Sequence, residues 1–468
     1  MRVGDAETEL LNLVETAPFG DRHRWSWASS VGGTLLAGFS MYVLGVSVPL
    51  LTDGLRLDPS TIGLVGAALM LGGVVGSAIG GPAADRWGRR ALMLCDMLLV
   101  VVGGTLSMVA DGATALFLGQ LIVGAGIGID FPVSAAFVSE TMPKRSRSRM
   151  MVATIALQPV GMALAAAIAL PLLEWAAGDQ VWRSLLGAEA AIGLGFLLLR
   201  LSLLESPHWL MARGRNVEAA DEIARLVPAR AAEIEQLGAV LGGTRDPALG
   251  AAVPAEGLAM LWSPAYRTKT LLVSVPWFLM DIATYGVGLF TPTILMAIAP
   301  TVGGSASVLG MDYADAKGGA LLNLFLLAGS LASLWTVPRV GRIRMQVIGF
   351  AGMAVGMLLL MVGTTVERGS ASHLVPIVSG FVIFNLLMNS GPNATTFTLA
   401  PELFPTPLRA SAGGLAASIA KLGAALGVFV LPILREHFGI TAVLGLVFVV
   451  SLAGGITTWL LAGCHAEG

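Results

Sequence analysis

Gly80-Gly-Pro-Ala-Ala-Asp85-Arg-Trp-Gly-Arg-Arg90 separates two apolar runs and returns, worn, as Pro338-Arg-Val-Gly-Arg-Ile343. Two further pairs repeat along the chain. Glu140-x-x-Pro143-x-x-x-Arg147 recurs at identical spacing as Glu402-x-x-Pro405-x-x-x-Arg409, and Tyr42-x-x-Gly45-x-x-x-Pro49 recurs as Tyr285-x-x-Gly288-x-x-x-Pro292. The second half therefore repeats the first in the same order.

The residues around these repeats are strongly apolar. Of 468 residues, 55% are hydrophobic and 12% charged, and the mean hydropathy is +0.79. Soluble globular chains of this size are neither so apolar nor so poor in charge. Hydropathy divides the chain into segments near 28–52, 60–82, 90–110, 113–139, 148–172, 182–201, 269–296, 317–337, 345–364, 373–400, 409–433 and 440–463. Each is near the ~20 residues a helix needs to cross hydrocarbon. The fold class expected is an all-α membrane protein with twelve transmembrane helices in two pseudo-symmetric six-helix bundles. The 59 glycines suit helices that pack closely in lipid.

With the N-terminus inside, the cytoplasmic segments hold 22 Lys and Arg, the outer loops hold five (Arg56, Arg183, Lys317, Arg368, Arg435), and Lys421 lies within a span. That asymmetry places both termini in the cytoplasm. Residues 1–27 then form a cytoplasmic N-terminal segment without the apolar core and cleavage site of a signal peptide. Residues 28–201 form one bundle, 268–463 the other, and 464–468 a cytoplasmic tail. Residues 202–267 are too polar for the bilayer and read as a cytoplasmic linker of short amphipathic helices, their apolar faces against the membrane side of the bundle. Cys95 and Cys464 indicate no disulfide framework.

Internal repeats related by an axis along the membrane normal characterise transporters whose site lies between the halves. Ionisable groups at mid-depth point to that site, because an intramembrane charge costs about 2.5–3.5 kcal/mol to insert. Trp277, Asp281 and Tyr285 recur every four residues and share a helix face. Asp281 lies 12 residues after Lys269 and Lys421 lies 12 after Arg409, each about 18 Å into the membrane at 1.5 Å per residue. Facing each other, they form either an ion pair or an anion-binding lysine beside a protonated Asp281. Gln158 and Asn393 lie at similar depth, and Asn385, Asn389 and Asn393 form an amide stripe with interhelical bonding as its plainer reading. Asp130 is the matching acid of the first half, whereas Asp96 and Glu189 sit nearer the faces, where structural roles are expected. Asp85, Arg86, Arg89, Arg90, Glu140, Arg147, Glu205, Glu402 and Arg409 cluster at cytoplasmic helix ends, where ion pairs would lock a closed inner mouth. No nucleophile–base pair, metal-ligand cluster or phosphate-cradling loop is present in the sequence, so no enzyme, cofactor or metal site is expected. Gly124-x-Gly126-x-Gly128 reads as a packing surface.

These features resemble the major facilitator superfamily over nearly the whole chain. Gly80–Arg90 looks like its loop signature after the second span, and Glu205-Ser-Pro-His-Trp-Leu-Met-Ala-Arg-Gly-Arg215 looks like the sugar-porter signature after the sixth. Gly128-Ile-Asp130-Phe-Pro-Val-Ser, Trp277-Phe-Leu-Met-Asp281-Ile-Ala-Thr-Tyr285-Gly and Gly391-Pro-Asn393-Ala-Thr-Thr-Phe397 look like the phosphate:proton symporters. That resemblance implies substrate binding by Gln158, Trp277, Asp281, Tyr285, Asn393 and Lys421, and proton coupling through Asp130 and Asp281. It implies proton-coupled uptake of a small anion, phosphate first, by alternating access, by a monomer in a bacterial inner membrane. Ser40, Gln120 and Phe131 depart from the family, which has an acid, an arginine and a tyrosine there. Lacking the tyrosine fits a more apolar substrate. The alternatives are a transporter of organic acids, sugars or other metabolites, and a nutrient receptor that binds without transporting.

Overall fold

The computed structural model describes residues 3–55, 59–175, 181–242, 257–288, 308–365 and 371–466. Outside the described residues lie 289–296 of the expected seventh span, Arg56, Arg368 and the side chains of Tyr285 and Lys317. The described residues are almost entirely helical. Two helices precede the membrane domain, α1 (Val3–Thr16) and α2 (Asp21–Ser30). The first bundle is α3 (Gly32–Leu55), α4 (Pro59–Trp87), α5 (Arg89–Met108), α6 (Ala113–Thr141), α7 (Lys144–Trp175) and α8 (Val181–Arg200). The linker holds α9 (Pro207–Ala212), α10 (Asn216–Leu226), α11 (Ala231–Gly242) and α12 (Gly257–Met260). The second bundle is α13 (Arg267–Gly288), α14 (Val308–Val340), α15 (Arg342–Thr365), α16 (Ala371–Ser390), α17 (Pro392–Leu403) and α18 (Thr406–Ala466).

Ten stretches of the described residues are long and apolar enough to span a membrane. With α13 and α14 at the seventh and eighth positions they make the twelve-helix, two-bundle fold. Helix is the only open-ended structure that satisfies its own backbone in lipid, so apolar runs of this length have no competing conformation. The repeated Gly-Arg element turns the chain within one residue. Gly88 has φ +101° between α4 and α5, and Gly341 has φ +90° between α14 and α15, a region glycine enters without steric penalty.

Three spans depart from one separate, continuous helix each. The tenth is broken into α16 and α17 at Gly391, because Pro392 has no N–H to continue the ladder. The eleventh and twelfth run on as α18, with one non-helical residue at Gly439, φ 78°. The linker also corrects its expectation. The apolar faces of α10 and α11 pack on α1 rather than on the membrane side of the bundle: Ile223, Leu226, Ile234 and Leu237 are buried with Ala6, Leu10, Leu13 and Val14. The cause is the three-and-four spacing of those α1 residues, which gives these helices an apolar partner outside the two bundles.

The bundles meet through α4 against the first part of α18 and through α7 against α14. Close approach needs glycine at that seam: a Cβ on Gly81 would strike the Ala410 carbonyl, and one on Gly414 the Ser77 carbonyl. Within the first bundle, Gly124 and Gly128 press on α4 and Gly126 on α5, the packing role expected of them.

Candidate functional site

Between the bundles lies a cavity of about 80 Å³. Helices of the first half line it with Met41, Phe131, Gln158 and Met162, and the second half adds Trp277, Met280, Asp281, Thr284, Met388, Asn389, Asn393 and Lys421. The structure thus brings Gln158, Trp277, Asp281, Asn393 and Lys421 together. Tyr285 follows on α13, but its side chain lies outside the described residues.

Asp281 is 4% exposed, and its Oδ2 has no hydrogen-bond partner among the described residues. Lys421 on α18 faces it electrostatically, and the Lys421 ammonium sits 5.1 Å from the centre of the Phe131 ring. The amide stripe is bonded largely along its own helix: Asn385 Nδ2 donates to the Phe381 carbonyl, Asn389 Nδ2 to the Asn385 carbonyl, and Asn393 Nδ2 to Asn389 Oδ1. Ser330 of α14 adds a bond from another span, 3.4 Å to Asn389 Oδ1. Gly38, the repeat counterpart of Asp281, has no room for a side chain, since a Cβ there would meet the Gln158 carbonyl. The carboxylate is therefore one-sided for a packing reason.

Asp130 is not in the cavity wall. It is fully buried with Arg200, whose Nη2 donates to Asp130 Oδ1 at 2.5 Å and whose Nη1 donates to Asp96 Oδ1 at 2.5 Å. Arg200 also donates to the carbonyls of Ser29, Ser30 and Met93, clamping the α2–α3 break. Glu189, fully buried on α8, accepts from the Ser40 hydroxyl, with Gln120 beside it. Sequence reasoning missed Arg200. A cation at a cytoplasmic helix end matches the general bias and carries no mark of an inward-turned side chain.

At the helix ends nearest the linker, Arg89 is fully buried and donates to both Glu140 oxygens at 2.9 Å, with Asp85 Oδ1 at 3.0 Å. Glu140 also accepts from Ser206 Oγ at 2.6 Å and, across the seam, from Arg409 at 3.1 Å. Asp85 accepts from the Ser411 N–H at 2.8 Å and the Ser411 hydroxyl at 2.7 Å, also across the seam. These bonds hold the two bundles together at this end. Glu402 pairs with Arg342, which the repeat had marked as the counterpart of Arg89. Glu205 accepts from the backbone N–H groups of Arg89, Arg90 and Ser206, holding the start of α5. Burial raises the Glu205 carboxyl above its ordinary range, and the three N–H donors oppose the shift. Arg147 pairs with Glu15 of α1 at 3.4 Å. Arg90 donates to the Leu201 carbonyl, and Arg86 lies over the Trp87 ring, so neither joins the carboxylate cluster across the seam.

A family model described as "Sugar (and other) transporter" matches residues 25–465. The chain belongs to this family. It is a secondary transporter of the major facilitator fold and not an enzyme. The inner membrane metabolite transport protein YgcS of Escherichia coli is 27% identical over 452 residues, spanning 96% of this chain and 93% of that protein. The repressible high-affinity phosphate permease of Neurospora crassa is 27% identical over 480 residues, spanning 91% and 80%. The arabinose-proton symporter of Bacillus subtilis is 27% identical over 429 residues, spanning 89% and 86%. Among solved structures, the proton:xylose symporter XylE bound to 6-bromo-6-deoxy-D-glucose superposes with a TM-score of 0.76 at 18% identity, over 93% of this chain and 95% of that one.

Proposed function

We propose that the chain is a proton-coupled symporter that takes up a small anion by alternating access. The observation that carries this reading is the opposition of Asp281 and Lys421 in a cavity walled by both halves. Without solute, each charge compensates the other. An anion arriving at Lys421 displaces the carboxylate from its cation, and Asp281 then takes a proton rather than remain charged and uncompensated in low dielectric. The loaded site is neutral as a whole and crosses the alternating states without a buried net charge. Asp85, Arg89, Glu140 and Arg409 hold the inner mouth shut and must part for release; Glu402 with Arg342, Arg147 and Glu205 brace the helix ends around them. Asp130, held by Arg200, is a second proton site of the first half. Both termini lie in the cytoplasm of a bacterial inner membrane, and the monomer is the working unit.

Phosphate is the first solute, on the resemblance of the motifs around Asp130, Asp281 and Asn393 and on the phosphate permease among the relatives. An organic metabolite is the second, favoured by the Phe131 ring in the cavity wall and by the metabolite transporter relative. In proteoliposomes, Asp281→Asn is expected to abolish accumulation driven by a pH gradient while sparing solute exchange. Wild-type accumulation on the gradient by this variant would sink the coupling mechanism.

A further inference from the structure

The cavity wall carries more information about the solute than its two charges do. Four methionines, Met41, Met162, Met280 and Met388, line it together with the Phe131 and Trp277 rings. The Lys421 ammonium stands 5.1 Å from the Phe131 ring centre. An anion seated on Lys421 is therefore against an aromatic face from the start. Thioethers are polarisable, adaptable surfaces that pack on apolar and aromatic groups.

Among the described residues, the amide and hydroxyl groups of the cavity are largely engaged. Asn389 Nδ2 is bonded to the Asn385 carbonyl, Asn393 Nδ2 to Asn389 Oδ1, and the Thr284 hydroxyl to the Met280 carbonyl at 2.8 Å. Gln158 Nε2 points at Met41 Sδ, 3.9 Å away, a weak acceptor. Lys421, the Trp277 indole N–H and what remains of the amide donors can serve the two oxygens of a carboxylate, while the sulfur and ring groups of the wall offer apolar contact to whatever stands behind it. A sugar presents a hydroxyl on nearly every carbon, and the methionine wall would leave several of these unmet.

Resting on the anion symport reading, we infer that the solute is an organic monocarboxylate with a compact apolar body, its carboxylate at Lys421 and its body among the methionines and Phe131. Two contacts of different kind then set specificity: the cation selects one negative charge, and the sulfur and aromatic wall selects the hydrocarbon behind it. The cavity has room for roughly half a dozen waters, which matches a small ring or a short branched chain rather than a long one.

The test is calorimetric titration of the purified full-length protein in detergent with benzoate, acetate, inorganic phosphate and D-xylose. Benzoate is expected to bind at least tenfold tighter than acetate, which has the charge without the body, and tenfold tighter than phosphate or xylose. Met388→Gln is expected to weaken benzoate about tenfold and leave acetate unchanged, and Lys421→Gln to abolish both, with thermal unfolding confirming that the variants are folded. Phosphate or xylose binding tighter than benzoate, equal affinity for acetate and benzoate, or no benzoate binding by the folded protein overturns the inference. The two readings fail separately. Phosphate accumulated on a pH gradient keeps the coupled-anion reading and overturns this one, whereas selective benzoate binding without proton-driven uptake keeps this one and overturns the coupling.

Discussion

Arg200 and Glu189 are both fully buried charge-bearing residues of the first bundle, yet their substitutions should differ sharply. Arg200 compensates Asp96 and Asp130 and satisfies three backbone carbonyls. Arg200→Ala would leave two buried carboxylates facing each other, and breaking a buried pair costs about 3–5 kcal/mol. Glu189 has the Ser40 hydroxyl and the Gln120 amide as donors and, among the described residues, no ion pair. Glu189→Gln keeps shape and acceptor, so its cost should stay within about 1 kcal/mol. Thermal unfolding of the two variants in detergent checks this, and comparable losses would contradict the account. Asp130 was legible in the sequence because an acid at mid-depth is conspicuous. Its partner was not, because Arg200 ends a span where any cation is expected. Depth could be counted from helix ends, but the direction of a side chain follows from the packing of α2, α5, α6 and α8 together.

The helices themselves were legible, since apolar runs of about 20 residues have little choice of conformation in lipid. Their breaks were less so. A proline at 392 inside the tenth span weakens the helix there, but the sequence does not tell that α17 restarts at once behind Gly391. The linker was misread because the apolar faces of α10 and α11 were assigned to the membrane side of the bundle, whereas the complementary stripe lay more than 200 residues away in α1. That long-range pairing yields a prediction for the element. Leu10 of α1 is fully buried against the linker helices. Leu10→Asp puts a charge into this apolar cluster, and limited trypsin digestion should then cut after Arg225 and Arg230 several times faster than in the wild type. The transmembrane bundles should keep their unfolding temperature. Unchanged cleavage kinetics would mean that α1 does not hold the linker.

At the scale of the molecule, the closed end beside the linker draws groups from both bundles, the linker and the N-terminal helix into one place, and His208 on α9 sits among them. It faces Glu140 of α6, Arg409 of α18, Arg147 of α7 and Glu15 of α1. Burial lowers its pKa to about 4, against an ordinary value of 6.5. The folded chain therefore holds His208 neutral across the whole range in which the unfolded chain would protonate it. The sign follows from linkage: above about pH 6.5 neither state binds the proton and His208 contributes nothing to pH dependence. As pH falls below that value the unfolded state gains a proton that the folded state refuses, and stability drains away until about pH 4. At pH 5.5 the loss from this one group is about 1 kcal/mol. Other titrating groups add their own slopes, so the comparison that isolates His208 is between proteins and not between pH values alone. Unfolding of the wild type and of His208→Gln, each at pH 7.5 and pH 5.5, should show a smaller acid-induced drop in the variant by about that amount. Equal drops would mean that the histidine is solvated, and that the seam between linker and bundles is looser than its hydrogen bonds indicate.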